Sequence, residues 1–276
     1  MAASSKNKNA PQSFVKYIII CSIALLISIV TLLSGFGLGT VLVPVFAVFF
    51  PLPLAIASTA VIHLVNNIAQ VIFVGRFANR NVVIKFGIPA VIAAIIGAFL
   101  LGLSANIHPI FSYDFLEIKF TVTIIGLIVG LVVIFASLFE LVPKLSNLSV
   151  APRYIPLGGM LSGFLGGLSG NQGTLRSAFL IKSGLNKEQF IGTSAVCSII
   201  VDVTRISVYG IAIYNHQFKG LNEVWSLLIA ASAVVLLGAY IGSKLMHKVT
   251  FKTVQTIVGV MLLVLGFAIM MGIGKK

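Results

Sequence analysis

The sequence predicts an all-α, polytopic membrane protein. It has about eight transmembrane helices in two homologous halves, each half carrying a Gly-rich helix break or re-entrant segment. Three observations predict this. Of 276 residues, 58% are hydrophobic and only 9% are charged, against about 25% charged in a soluble domain, so the chain cannot cover a water-facing surface. The apolar residues run continuously over about 20 positions, the length a bilayer requires, and do not alternate as in an outer-membrane barrel. Polar, Gly-rich interruptions recur at a fixed spacing.

In chain order, the N-terminal tail 1–16 carries Lys6, Lys8 and Lys16 ahead of a long apolar run. No small-x-small cleavage pattern follows, so the run is read as a first span and not a signal peptide. Apolar segments follow at 17–34, 54–75, 82–103, 120–141, 154–169, 190–213, 224–246 and 254–273, the fifth of them short. Two further apolar pieces, 40–50 and 174–181, are too short to span. Each follows a Gly-rich interruption, "SGFGLGT" (Ser34 to Thr40) and "LSGNQGT" (Leu168 to Thr174).

The halves superimpose. Gly39-Thr40 matches Gly173-Thr174 at an offset of 134, and "ASTA" (Ala57 to Ala60) matches "GTSA" (Gly192 to Ala195) at 135. Two motifs in the same order indicate a duplication. The chain is read as a cytoplasmic tail (1–16) and a single membrane domain (17–276) built of repeats at about 17–141 and 154–273. Both termini are placed in the cytoplasm. That puts eleven basic residues inside (Lys6, Lys8, Lys16, Arg76, Arg80, Lys85, Lys144, Arg153, Lys219, Lys275, Lys276) and six outside (Lys119, Lys182, Lys187, Lys244, Lys248, Lys252), the expected bias.

The two stretches Gly35–Gly39 and Gly167–Gly173, with Ser169 inside the second, are expected to be non-helical and to meet across a pseudo-twofold axis. Irregular backbone survives at membrane depth only where it is buried in protein or lines a wet cavity. Paired breaks in a duplicated membrane protein point to a transporter site. A helix restarted after a break presents free N–H groups and its positive dipole end, both suited to an anion. Glycine lets the backbone approach a ligand, which singles out Gly37, Gly39 and Gly173. Thr40 and Thr174 offer hydroxyls at the restart. Asn171, Gln172 and Arg176 are not packing residues. Close packing through small residues is the competing reading of the glycines.

Asp202 and Arg205 lie three apart within a span and share a helical face. Mid-membrane charges face the interior and have partners. Asp202 is assigned to orienting the substrate or carrying a proton, Arg205 to holding an anion. His63, Asn66, Asn67 and Gln70 form a polar stripe at helical spacing. At the offset of 135, Asn67 matches Asp202 and Gln70 matches Arg205, so the stripes are expected to face each other. His63 is a candidate for coupling because imidazole titrates near neutral pH. Ser58, Thr59, Thr193 and Ser194 are small and polar enough to contribute to binding.

The net charge of +13 is assigned mainly to topology and not to nucleic acid. Cys21 and Cys197 sit inside apolar runs and suit neither a disulfide framework, a redox pair nor a metal site. No cofactor and no metal are expected.

The segments "GFGLGTVLVPVFAVFFPLPLAIASTAVIHLVNN", "GFLGGLSGNQGTLRSAFLIKSGLNKEQFIGTSAVCSIIVDVTRISVYG" and "LLGAYIGSKLMHKVTFKTVQTIVGVMLLVLGF" resemble the sulfite exporter TauE/SafE family of membrane permeases. The resemblance covers nearly the whole chain after Lys16. It implies a duplicated four-span fold and transport of small sulfur-containing or organic anions. Adjacent glycines of the family pattern are interrupted here by Leu38 and by Asn171-Gln172, and Ala178 stands opposite Pro44. The resulting expectation is a multi-pass protein of the cell inner (plasma) membrane, not an enzyme. It would be a secondary transporter of a small anion such as sulfite or an organosulfonate, coupled to a proton or sodium ion. An anion channel is the alternative. A membrane-embedded enzyme is disfavoured because Asp202 alone of the six acidic residues lies deep in a span.

Overall fold

A computed structural model describes residues 10–34, 38–104, 108–115, 118–142, 144, 150–214, 224–245 and 251–272. Among the described residues are ten helices of eight residues or more: α1 (Ala10–Ser34), α2 (Leu38–Phe49), α3 (Leu52–Val74), α4 (Arg80–Ser104), α5 (Ile124–Leu141), α6 (Ile155–Ser169), α7 (Gly173–Leu180), α8 (Lys187–Tyr214), α9 (Trp225–Leu245) and α10 (Phe251–Met270). Between α4 and α5 lies an antiparallel hairpin of β1 (Phe111–Phe115) and β2 (Ile118–Val122), with Phe111 opposite Val122.

Several helix starts follow from local chemistry. Asn186 and Gln189 cap α8 reciprocally: Gln189 N–H donates to Asn186 Oδ1 (2.8 Å) and Asn186 N–H to Gln189 Oε1 (3.2 Å), a capping box. Thr123 accepts from the Gly126 N–H to open α5, and Asn79 from the Val82 N–H to open α4.

Among the described residues, four helices are long and apolar enough to cross a membrane: α3 with its terminal 3₁₀ turn (Leu52–Phe77), α4, the Lys187–Ile211 part of α8, and α9. Shorter apolar stretches occupy Val15–Thr31, Ile124–Leu138 and Gly259–Met270. The chain is therefore a helical membrane protein. Boundaries differ from the sequence expectation in three places. α1 begins at Ala10, within the expected tail. Residues 120–122 are strand, because a short apolar run rich in β-branched and aromatic residues reads alike as strand or helix. The hairpin is fixed to the end of α10, where Tyr113 donates to Met271 O (2.9 Å) and Thr121 N–H to Gly272 O (3.2 Å). The breaks are also shorter than expected. α6 runs through Ser169 and α7 starts at Gly173, leaving only Gly170–Gln172 non-helical; Leu38 and Gly39 already belong to α2, while residues 35–37 lie outside the described residues.

The helices pair in a regular way. α4 packs along α6 and α9 along α1, while α3 packs on α8 and α5 on α10. The α4–α6 contact is backbone-close. A Cβ placed on Gly159, Gly163 or Gly167 would collide with the carbonyl of Phe86, Ala90 or Ala94 respectively. This is a small-xxx-small interface, and it explains why Gly167 stays helical. The arrangement leaves α3, α8 and the α6–α7 break together in the interior.

Candidate functional site

α8 turns one polar stripe inward: Ser194, Ser198, Asp202, Arg205 and Tyr209, all fully or nearly fully buried and three or four residues apart, so they share a face. Opposite stands α3 with His63 and Asn67. The α6–α7 break supplies Gln172 from above the same point.

These elements converge on the Asp202 carboxylate. Oδ2 receives His63 Nδ1 at 2.7 Å and Asn67 Nδ2 at 2.8 Å. Oδ1 receives Gln172 Nε2 at 3.0 Å and Arg205 Nε at 3.0 Å, with Arg205 Nη2 at 2.8 Å. Every neighbour is a donor, which matches the acceptor-only, ionised carboxylate. Asp202, Arg205 and His63 are 0% exposed. The expected facing of Asn67 and Asp202 is thus present as a direct hydrogen bond.

The break is shaped by Gly170, whose φ of +78° is left-handed. A Cβ there would lie 2.9 Å from Val43 Cγ2 and 3.1 Å from Arg205 Nη1. Both the conformation and the crowding call for glycine. At the last turn of α6, Gly166 O accepts both the capping Gly170 N–H (3.0 Å) and Arg205 Nη1 (3.1 Å), and the Tyr209 hydroxyl of α8 donates to Gly167 O. Ser162 donates to Gln172 O (2.7 Å), tying the loop back to α6. The start of α2 meets this break directly, since a Cβ on Gly39 would sit 2.7 Å from Gly170 O.

A second cationic point lies on α7. Arg176 is 3% exposed and its Nε donates to Ser194 Oγ at 2.8 Å. Ser194 precedes Asp202 by eight residues, about 12 Å along the helix. The buried interior thus holds two arginines against one aspartate among the described residues, an excess of one positive charge when His63 is neutral.

The other residues singled out in the sequence fall as follows. Asn171 (4% exposed) lies within the break, and Gly173 and Thr174 (6% exposed) open the helix after it. Asn66 turns away from the centre and meets Ser28 of α1, Oγ to Oδ1 at 2.6 Å. Gln70 is buried one turn beyond Asn67. Thr59 donates to Ala55 O in its own helix. Ser58 is 1% exposed with no hydrogen-bond partner at Oγ. Thr193 accepts from the Asn79 N–H (2.9 Å), joining the head of α4 to α8. Gly37 and the Thr40 side chain lie outside the described residues. Ser28, Ser162, Ser198 and Tyr209 were not expected. Helical spacing from Asp202 and Arg205 would have found Ser198 and Tyr209; nothing in the sequence marks Ser28 or Ser162. Among the described residues no group of three or more His, Cys, Asp or Glu could hold a metal ion.

The sequence matches the sulfite exporter TauE/SafE family over residues 20–269, nearly the whole chain. The chain belongs to the sulfite exporter TauE/SafE family. No curated protein and no solved structure matches it. Membership makes it a membrane transport protein of a family that handles sulfur anions. Within such a transporter, the Asp202 centre joins a helix break to two long apolar helices, the kind of place where transporters bind substrate.

Proposed function

We propose that this TauE/SafE member is a secondary transporter of a small sulfur-containing anion, sulfite or an organosulfonate, in the cell inner membrane. The anion binds at the α6–α7 break and moves by alternating access between two repeats. The observation that carries this reading is the convergence of α3, α8 and the break on Asp202, with Arg205 and Arg176 leaving the buried interior one positive charge in excess.

The repeats are about 17–141 and 154–273, that is α1–α5 and α6–α10. The contact pattern supports the duplication: α4 on α6 mirrors α9 on α1, and α3–α8 and α5–α10 pair equivalent helices. The anion would meet the N–H groups at the head of α7 (Gly173, Thr174), the amides of Asn171 and Gln172, and the Arg176 guanidinium. The head of α2 at Gly39 would face it from the other repeat, and Gly37 and Thr40, singled out in the sequence, would add to binding. Asn67, Ser194 and Arg205 support the site. Asn66, Gln70, Ser58, Thr59 and Thr193 contribute to the walls that move between states. Among the described residues the side chains of the centre are at most 6% exposed, which favours a carrier in an occluded state over an open channel.

The test is thermal stability of the purified protein against sulfite, sulfate, thiosulfate, methanesulfonate and small carboxylates. A ligand that binds only the folded state raises its melting temperature. Stabilisation by a sulfur oxyanion, and less by carboxylates of equal charge, is expected. Stabilisation by none of them would refute the anion site.

A further inference from the structure

We propose that the transported ion is accompanied by a proton carried on His63 Nε2, the imidazolium N–H pairing with the bound anion; this rests on the anion-transport reading above. His63 Nδ1 is 2.7 Å from Asp202 Oδ2. That oxygen belongs to a carboxylate surrounded by donors, so Nδ1 carries the hydrogen and donates. The Asn67 and Gln172 amides also lie 2.9 and 3.4 Å from Nδ1 while donating to Asp202; the Nδ1 hydrogen is assigned from the shorter contact to the acceptor-only carboxylate. One ring nitrogen remains. In this tautomer Nε2 is a bare lone pair, and it is buried with no hydrogen-bond partner. Buried acceptors are normally paired, and an unpaired one calls for an explanation.

The ring edge that carries Nε2 lies beside the head of α2. Its neighbour Cδ2 is 3.7 Å from where a Cβ on Gly39 would stand, and the same point is 2.7 Å from Gly170 O. His63 thus reaches the meeting of the α6–α7 break with the head of α2, a twelve-residue helix whose first N–H groups lack helical partners. A proton taken from water onto the Nε2 lone pair converts imidazole to imidazolium. Asp202 stabilises that cation through Nδ1–H, and Nε2–H becomes a donor with no acceptor until an anion arrives. Proton and anion therefore bind more strongly together than apart, which is symport by linkage.

Other charged and titratable groups set the background. α8 brings Asp202, Arg205, Cys197 and Tyr209, and α7 brings Arg176. α2 has none. Arg76 after α3, Arg80 and Lys85 of α4, and Tyr240 and Lys244 of α9 are exposed near helix ends. Lys16, Tyr17 and Cys21 of α1 lie about two turns or more before Ser28, the residue that meets α3.

Calorimetry of detergent-purified protein with methanesulfonate and with sulfite, in two buffers of different ionisation heat, measures protons taken up per anion bound. Wild type is expected to take up about one proton beyond what the anion itself exchanges, and His63→Gln to bind more weakly with that proton lost. Equal proton uptake by wild type and His63→Gln would overturn the proposal while leaving the anion site standing. Should His63→Gln not fold, wild type alone decides. Affinity falling about tenfold per pH unit on the alkaline side of the histidine titration supports the proton site, and affinity for methanesulfonate that is flat between about pH 5.5 and about pH 8.5 overturns it. Folded wild type that binds neither probe removes the anion reading and this proposal with it.

Discussion

Asp202 is an acceptor enclosed by donors, and its neighbours depend on it more than it depends on any one of them. Arg205 hydrogen-bonds through Nε to Asp202 and through Nη1 to Gly166 O, and its Nη2 lies 2.8 Å from Asp202 as an ion pair. Its work is largely to hold the break against α8. Replacing Asp202 by Leu together with Arg205 by Met removes the ion pair but strands the donors of His63, Asn67 and Gln172, each worth about 1–3 kcal/mol when left unsatisfied. The double variant is expected to lose stability and transport, although isolated buried ion pairs are often replaceable. Denaturant unfolding and flux on the same preparation check this, and retained transport would mean that the pair is only structural. Arg176 is the better candidate for direct anion contact. A charge-assisted hydrogen bond is worth about 1.5–3 kcal/mol, so Arg176→Gln is expected to weaken anion affinity roughly 10- to 150-fold. Arg176→Lys should recover part of it, because an ammonium lacks the planar fork. Calorimetry on monodisperse protein measures both.

At the scale of elements, the glycines of α6 divide into two kinds that the sequence presents as one run. Gly159, Gly163 and Gly167 face the α4 backbone, whereas Gly170 turns the chain. Gly163→Ala is expected to destabilise by about 1–3 kcal/mol through overpacking on Ala90, and Gly170→Ala by a similar amount through its left-handed backbone. Gly210→Ala is the contrast. Its helical position has no atom within 4 Å of a new Cβ, so a gain of about 0.5–1 kcal/mol is expected. Melting temperatures of the three variants check the order. The competing sequence readings of this run, packing and break, both hold, on different residues. Composition and period could not separate them, because the difference lies in which face α4 covers. The same limit explains the missed hairpin: Phe120–Val122 runs on into the apolar stretch that becomes α5, and the docking of the hairpin to Met271 and Gly272 lies outside any local pattern.

At the scale of the molecule, the membrane class was legible from a composition with only 9% charge, and its helical type from the continuous apolar runs. The meeting of Asn67 with Asp202 was expected from the offset of 135 between the two polar stripes, and the two residues hydrogen-bond directly. The capping of the α6 carbonyls by Arg205 and Tyr209 was not, because it depends on where a break ends and how two helices cross. What the whole fold does with this centre is tested most directly by flux of sulfite into proteoliposomes at clamped pH and membrane potential, for wild type and Arg176→Gln side by side. Saturable wild-type flux well above protein-free vesicles, with half-saturation raised about tenfold or more in Arg176→Gln, is the predicted result. Flux equal to protein-free vesicles, or saturable flux unchanged by Arg176→Gln, would contradict the assignment of the α6–α7 break as the anion site.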